Sequence, residues 1–61
     1  MYRVKYGYTH KATTIDEYIN FKSKKDAEEY IEEKLFPYYD EFLVYVELWD
    51  VDKNKLIKKY L

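Results

Sequence analysis

The 61-residue chain contains one histidine and no cysteine. A thiol nucleophile, a disulfide framework and a cysteine-ligated zinc site are therefore excluded. His10 has no carboxylate at a spacing that would orient it, and a lone histidine does not hold a metal unaided; it reads as a surface residue at the end of a strand. Asp16-Glu17, Asp40-Glu41 and the pair Asp50 and Asp52 could act as acid and base only in a pocket that pushed their pKa values apart. A chain this short has little room for one. Asp50-x-Asp52-x-Asn54 has the first three ligand positions of a calcium loop, but Lys55 stands where that loop needs glycine and Leu61 where it needs glutamate. A turn is the better reading. Ser23 lacks a neighbouring base, and Gly7, the one glycine, cannot make a glycine-rich phosphate loop. No catalytic residue, metal or cofactor is expected, so the protein is read as a non-enzyme.

The chemistry that remains is recognition. Nine Tyr, three Phe and one Trp make 21% of the chain aromatic. Tyrosine and tryptophan offer large, stiff, amphipathic contacts and are enriched at binding hot spots. Charge is segregated along the chain. Residues 1–25 carry six basic side chains and two acids, residues 26–50 carry nine acids and Lys34, and residues 51–61 carry four lysines and Asp52. Asp26, Glu28, Glu29, Glu32 and Glu33 form an acidic run at helical spacing. The pairs Glu28 with Glu32 and Glu29 with Glu33 repel at i, i+4 by a few tenths of a kcal/mol each. A solvated outer face is the leading reading of this run, but such placement is poor for helix stability alone and shifts the balance slightly towards an acidic patch for a basic partner.

These side chains must be positioned by local elements. Tyr2, Val4, Tyr6 and Tyr8 alternate with Arg3, Lys5, Gly7 and Thr9, the period of a half-buried strand over 2–10. Gly7 within it suggests a bulge or a close neighbour. After a turn at Lys11–Thr14, a second strand covers 15–22. Ser23 is a suitable N-cap with Asp26 three residues on. Ala27, Ile31 and Leu35 then repeat on one helical face, and Pro37 is expected to end the helix (24–36) at Phe36. Apolar residues on both parities mark 42–51 as an interior strand. Residues 52–55 form a turn in which Asn54 can take positive φ, and 56–61 is the last strand. The expected fold is α+β: one small domain in ββαββ order, a four-stranded, mostly antiparallel sheet with one helix on one face. The expected core is Val4, Tyr6, Ile19, Phe21, Ala27, Ile31, Leu35, Val44, Val46 and Leu48. If the first and last strands were adjacent, Arg3, Lys5, Lys58 and Lys59 would form a basic zone.

That core leaves aromatics over. Tyr45 and Trp49 have the parity opposite to Val46 and Leu48, and Tyr38 and Tyr39 follow Pro37. These four are the expected anchors of a protein-binding surface, with Glu28, Glu29, Glu32 and Glu33 as electrostatic contributors. The leading expectation is a small protein-interaction module. Its lysine-, tyrosine-, isoleucine- and asparagine-rich usage suggests an AT-rich coding sequence, that of a low-GC bacterium or a virus infecting one; with the small size, this points to a virus- or mobile-element-encoded regulator or inhibitor of a host protein. Two alternatives belong to other classes. One is a single-stranded nucleic-acid binder that stacks bases on Tyr and Trp between lysines; an isoelectric point near 5.8 ranks it second. The other is a homodimer that buries the surplus aromatics against a second copy, a route open to a domain of this size. No membrane span is expected, since no apolar run approaches ~20 residues, and Met1-Tyr2-Arg3-Val4-Lys5 alternates where a signal peptide would be apolar. A cytoplasmic location is the expectation.

Overall fold

A computed structural model describes all 61 residues. Two strands, β1 (Tyr2–His10) and β2 (Thr13–Phe21), precede a helical segment. That segment runs through α1 (Lys24–Tyr30), a π-helical turn (Ile31–Leu35), α2 (Phe36–Tyr39) and a 3-10 turn (Asp40–Phe42). Two further strands follow, β3 (Leu43–Asp50) and β4 (Lys55–Lys59). The sheet order is β2-β1-β3-β4 and every pair is antiparallel. The fold is therefore the α+β sheet-and-helix arrangement read from the sequence. The outer strands are β2 and β4, so the first and last strands are not neighbours and the expected basic zone is split. Lys5 and Lys59 flank Glu47 in one rung of the sheet.

Val4, Tyr6, Ala27, Ile31, Leu35, Leu43, Val46 and Leu48 form the core between helix and sheet. Ile19 and Phe21 pack partly against it, as do Tyr2, Tyr39 and Tyr60. Val44, placed in the core by its parity with Val46, is instead 50% exposed, and Leu43 is buried. A bulge explains the exchange. Gly7 pairs with Tyr45 but Tyr8 pairs with Leu43, which leaves Val44 unmatched and reverses the alternation. A second irregularity lies between β3 and β4, where Leu48 faces Lys58 but Trp49 faces Leu56, leaving Ile57 unmatched.

Ser23 caps α1 as its sequence context indicates, its Oγ accepting from the Asp26 N–H at 3.0 Å. Pro37 does not end the helical segment. Phe36 keeps helical φ and ψ, and its N–H reaches the Ile31 carbonyl five residues back. The widened π turn re-aims the chain so that Pro37 falls in the first turn of α2, where its missing N–H breaks no ladder. Glu32 and Glu33 consequently lie in mid-segment, away from the C-terminal dipole that would disfavour them. α2 stops at Asp40, which takes φ 49° and ψ −123° and leads into the 3-10 turn.

The β1–β2 hairpin is tighter than the sequence suggests. Thr13 and Thr14 join β2, and the turn is only Lys11 and Ala12, with φ of 49° and 64°. Both central residues are left-handed, as in a type I′ turn, which suits the strand twist and favours Asn-Gly. Each non-glycine residue there costs roughly 1 kcal/mol. Lys11→Asn with Ala12→Gly is expected to stabilise the fold by about 1–2 kcal/mol, raising the thermal midpoint by roughly 5–10 °C. Asn54, at φ 50°, takes the left-handed position expected of it.

Candidate interaction surface

The sheet has one face under the helix and one bare. Alternation puts Arg3, Lys5 and Gly7 of β1 on the bare face beside Asp16, Tyr18 and Asn20 of β2. From β3 come Tyr45, Glu47 and Trp49, and from β4 Leu56 and Lys59. Tyr45 and Trp49 therefore share this surface, as their parity requires.

The aromatic rings here are held by neighbours. The Arg3 guanidinium lies 4.5 Å from the Tyr18 ring centre, and its Nε donates to Asn20 Oδ1 at 2.8 Å. Lys5 Nζ sits 5.2 Å from the Trp49 ring, whose Nε1 donates to Glu47 Oε1 at 2.9 Å. The Tyr45 ring lies over Gly7, where an added Cβ would clash with it. This is the close neighbour the lone glycine implies. The Tyr45 hydroxyl donates to Asp16 Oδ1 at 2.7 Å. Tyr18, 59% exposed, is the most open ring of the face. It was not among the sequence anchors, although its parity opposite Ile19 and Phe21 marks it as facing away from the helix. Arg3, Lys5, Trp49, Asp50, Val51 and Asn54 border a shallow hollow of about 130 Å³.

Tyr38 and Tyr39 lie elsewhere, in α2 on the helix side, so they do not extend the surface of Tyr45 and Trp49. They also differ from each other. Tyr39 stacks on Tyr8 with ring centres 4.3 Å apart and leans on Tyr6 at 5.7 Å. Tyr38 meets Tyr39 edge-on and is 80% exposed. Together they form a ridge beside an open cleft of about 500 Å³ that Tyr8, His10, Lys11 and Phe42 complete. The acids divide as well. Glu28 and Glu32 lie towards Tyr60 at the β4 side, while Asp26, Glu29 and Glu33 border a groove with Phe21 and Tyr30 at the β2 side. Glu28, Glu29, Glu32 and Glu33 thus form two flanks of the helix, not one patch.

Four phenols are harder to ionise than usual. The hydrogen bond to Asp16, then burial and the charges of Asp16 and Glu47, push Tyr45 up to about 12. Burial raises Tyr6, with Tyr39 and Glu17 acting in the same direction. Burial also raises Tyr39 and Tyr60, the latter aided by Glu28 and Glu32. The neutral phenol is the form that the fold favours. Stability from these groups is therefore complete below the unfolded value near 10 and is lost as pH rises through the higher folded values. Thermal melts are expected to be flat from pH 8 to about 10 and to fall steeply above it. Asp16→Asn should bring the Tyr45 titration down towards 10, read by ring-labelled NMR.

No group of three or more His, Asp or Glu side chains converges on a point where a metal ion could sit. No helix is long and apolar enough to cross a membrane. Comparison with known proteins gives no family model, curated protein or solved structure that matches the chain.

Proposed function

We propose that the chain is a non-enzymatic protein-binding module whose contact surface is the bare sheet face. The observation that carries this reading is that Tyr18, Tyr45 and Trp49 stand on one face, each fixed by a polar or cationic neighbour. Side chains already held in place lose little freedom on binding, so their buried area converts more fully into affinity. Tyr18 and Trp49 are the anchors, Arg3 and Lys5 the charged rim, and Leu56 an apolar margin 39% exposed. A role as regulator or inhibitor of a larger protein, such as a virus-encoded one acting on its host, rests on the small size and AT-rich residue usage. The test is retention of a partner on immobilised protein. Trp49→Ala and Tyr18→Ala are each expected to weaken retention at least ~10-fold, as hot-spot truncations do. Equal retention by the variants and the parent chain would refute the reading.

A second reading rests on the same cation-and-ring interleaving, which also suits single-stranded nucleic acid. Against it, Arg3 and Lys5 occupy ring faces that bases would need, and Asp16 and Glu47 stand among them. Quenching of Trp49 fluorescence by an oligonucleotide, with affinity falling steeply as salt rises, would favour this reading; no quenching at low salt would remove it.

A further inference from the structure

The two sheet edges are built differently. β4 is five residues long, carries Lys55, Lys58 and Lys59, and is irregular where it meets β3. Short length, lysines and bulges are the devices that keep a stray strand from pairing with an edge. β2 has none of them. It runs nine residues from Thr13 to Phe21 with no proline, no lysine and unbroken register against β1. A two-residue hairpin makes His10 and Thr13 a hydrogen-bonded pair. Odd-numbered residues of β2 therefore bond inward to β1, and the N–H and C=O groups of Thr14, Asp16, Tyr18 and Asn20 point outward without a strand to receive them.

The surroundings of that edge say what could add to it. On the helix side, the strand shows Glu17, and the facing flank of the helix brings Asp26, Glu29 and Glu33 with Phe21 and Tyr30 in a groove of about 220 Å³. Lys34 is the one cation there. A second copy of this chain is a poor occupant. Twofold pairing of β2 with its own copy would set the two helices side by side on one face of a continuous sheet, acidic flank against acidic flank. Like charges so placed oppose association.

We propose that the outer edge of β2 receives an extended, basic segment of a partner protein as a fifth strand. Its backbone pairs with Thr14, Asp16, Tyr18 and Asn20. Its helix-side lysines or arginines lay their stems on Phe21 and Tyr30 and bring their charges to Glu17, Glu29 and Glu33. This gives the acidic run at the β2 side a use that helix stability does not.

The probe is a nine-residue synthetic peptide alternating lysine with valine and threonine, compared with its glutamate analogue. By fluorescence anisotropy at low salt, the basic peptide is expected to bind at least ~100-fold more tightly than the acidic one, and a Glu29→Lys, Glu33→Lys chain to bind it at least ~10-fold more weakly. Both substitutions are on the exposed helix surface and exchange one like-charged i, i+4 pair for another, so the fold should persist. In hydrogen exchange, saturating peptide should protect the amides of Thr14, Asp16, Tyr18 and Asn20. Three results would each overturn the proposal: no binding up to about 1 mM, equal binding of the two peptides, or protection of those amides that rises with protein concentration and without peptide. The last would show self-pairing.

Discussion

Leu48→Ala is expected to leave the chain largely unfolded at physiological temperature. Leu48 is fully buried at the centre of β3, in the core with Val4, Val46 and Ile31. Truncating a buried leucine removes its transfer free energy and leaves a cavity, at a cost of about 2–5 kcal/mol. At ~0.05–0.15 kcal/mol per residue, a domain of this length has a total stability of only about 3–9 kcal/mol. The core of eight residues has no second layer to absorb the loss. A sharper test lies at the bulge. Leu43→Ala should lower stability by about 2–3 kcal/mol, whereas Val44→Ala should stay within about 0.5 kcal/mol, both read as urea midpoints at unchanged slope. Equal losses at the two positions would mean that the β1–β3 register is wrong.

Tyr39→Ala is expected to cost about 2–3 kcal/mol, and Tyr38→Ala less than about 0.5. The Tyr39 ring closes the end of the core over Tyr6 and Tyr8, and stacked or tilted pairs contribute beyond their buried area. Tyr38 is 80% exposed, and its one ring pairing is edge-on with Tyr39. Thermal melts separate the two, and loss of the near-ultraviolet circular dichroism of the Tyr6–Tyr8–Tyr39 stack should accompany only the first. The two tyrosines are adjacent in sequence and alike in type, yet one packs against the core and the other is open to solvent.

Element order and the faces of the strands could be read directly from the sequence, because period-2 alternation in β1 and the Ala27, Ile31, Leu35 repeat are local patterns. The same parity put Tyr45 and Trp49 away from the helix, where they are found. Three features were not local. The bulge at Val44 is a register shift between β1 and β3, and no residue within β3 announces it. The helical segment passes Pro37 because a π turn forms upstream of it and because Phe36, once helical, packs beside Tyr60 at 6.4 Å. Tertiary packing outweighs the bias that proline places on its predecessor. The Lys11–Ala12 turn adopts a conformation that its residue types disfavour, imposed by the long pairing of β1 with β2. The separation of Tyr38 and Tyr39 from Tyr45 and Trp49 follows from topology. The helical segment lies on one face of the sheet and the alternating β3 residues point to the other.

The bare face is held to be a surface for a foreign partner, not half of a self-interface. Light scattering after size exclusion, from low to high micromolar protein, tests this most directly. A mass of 7.6 kDa throughout is the expected result, leaving the face of Tyr18, Tyr45 and Trp49 uncovered. A stable species of twice that mass, lost on Trp49→Ala, would show that the aromatic face is the protein's own dimer core and would contradict the account.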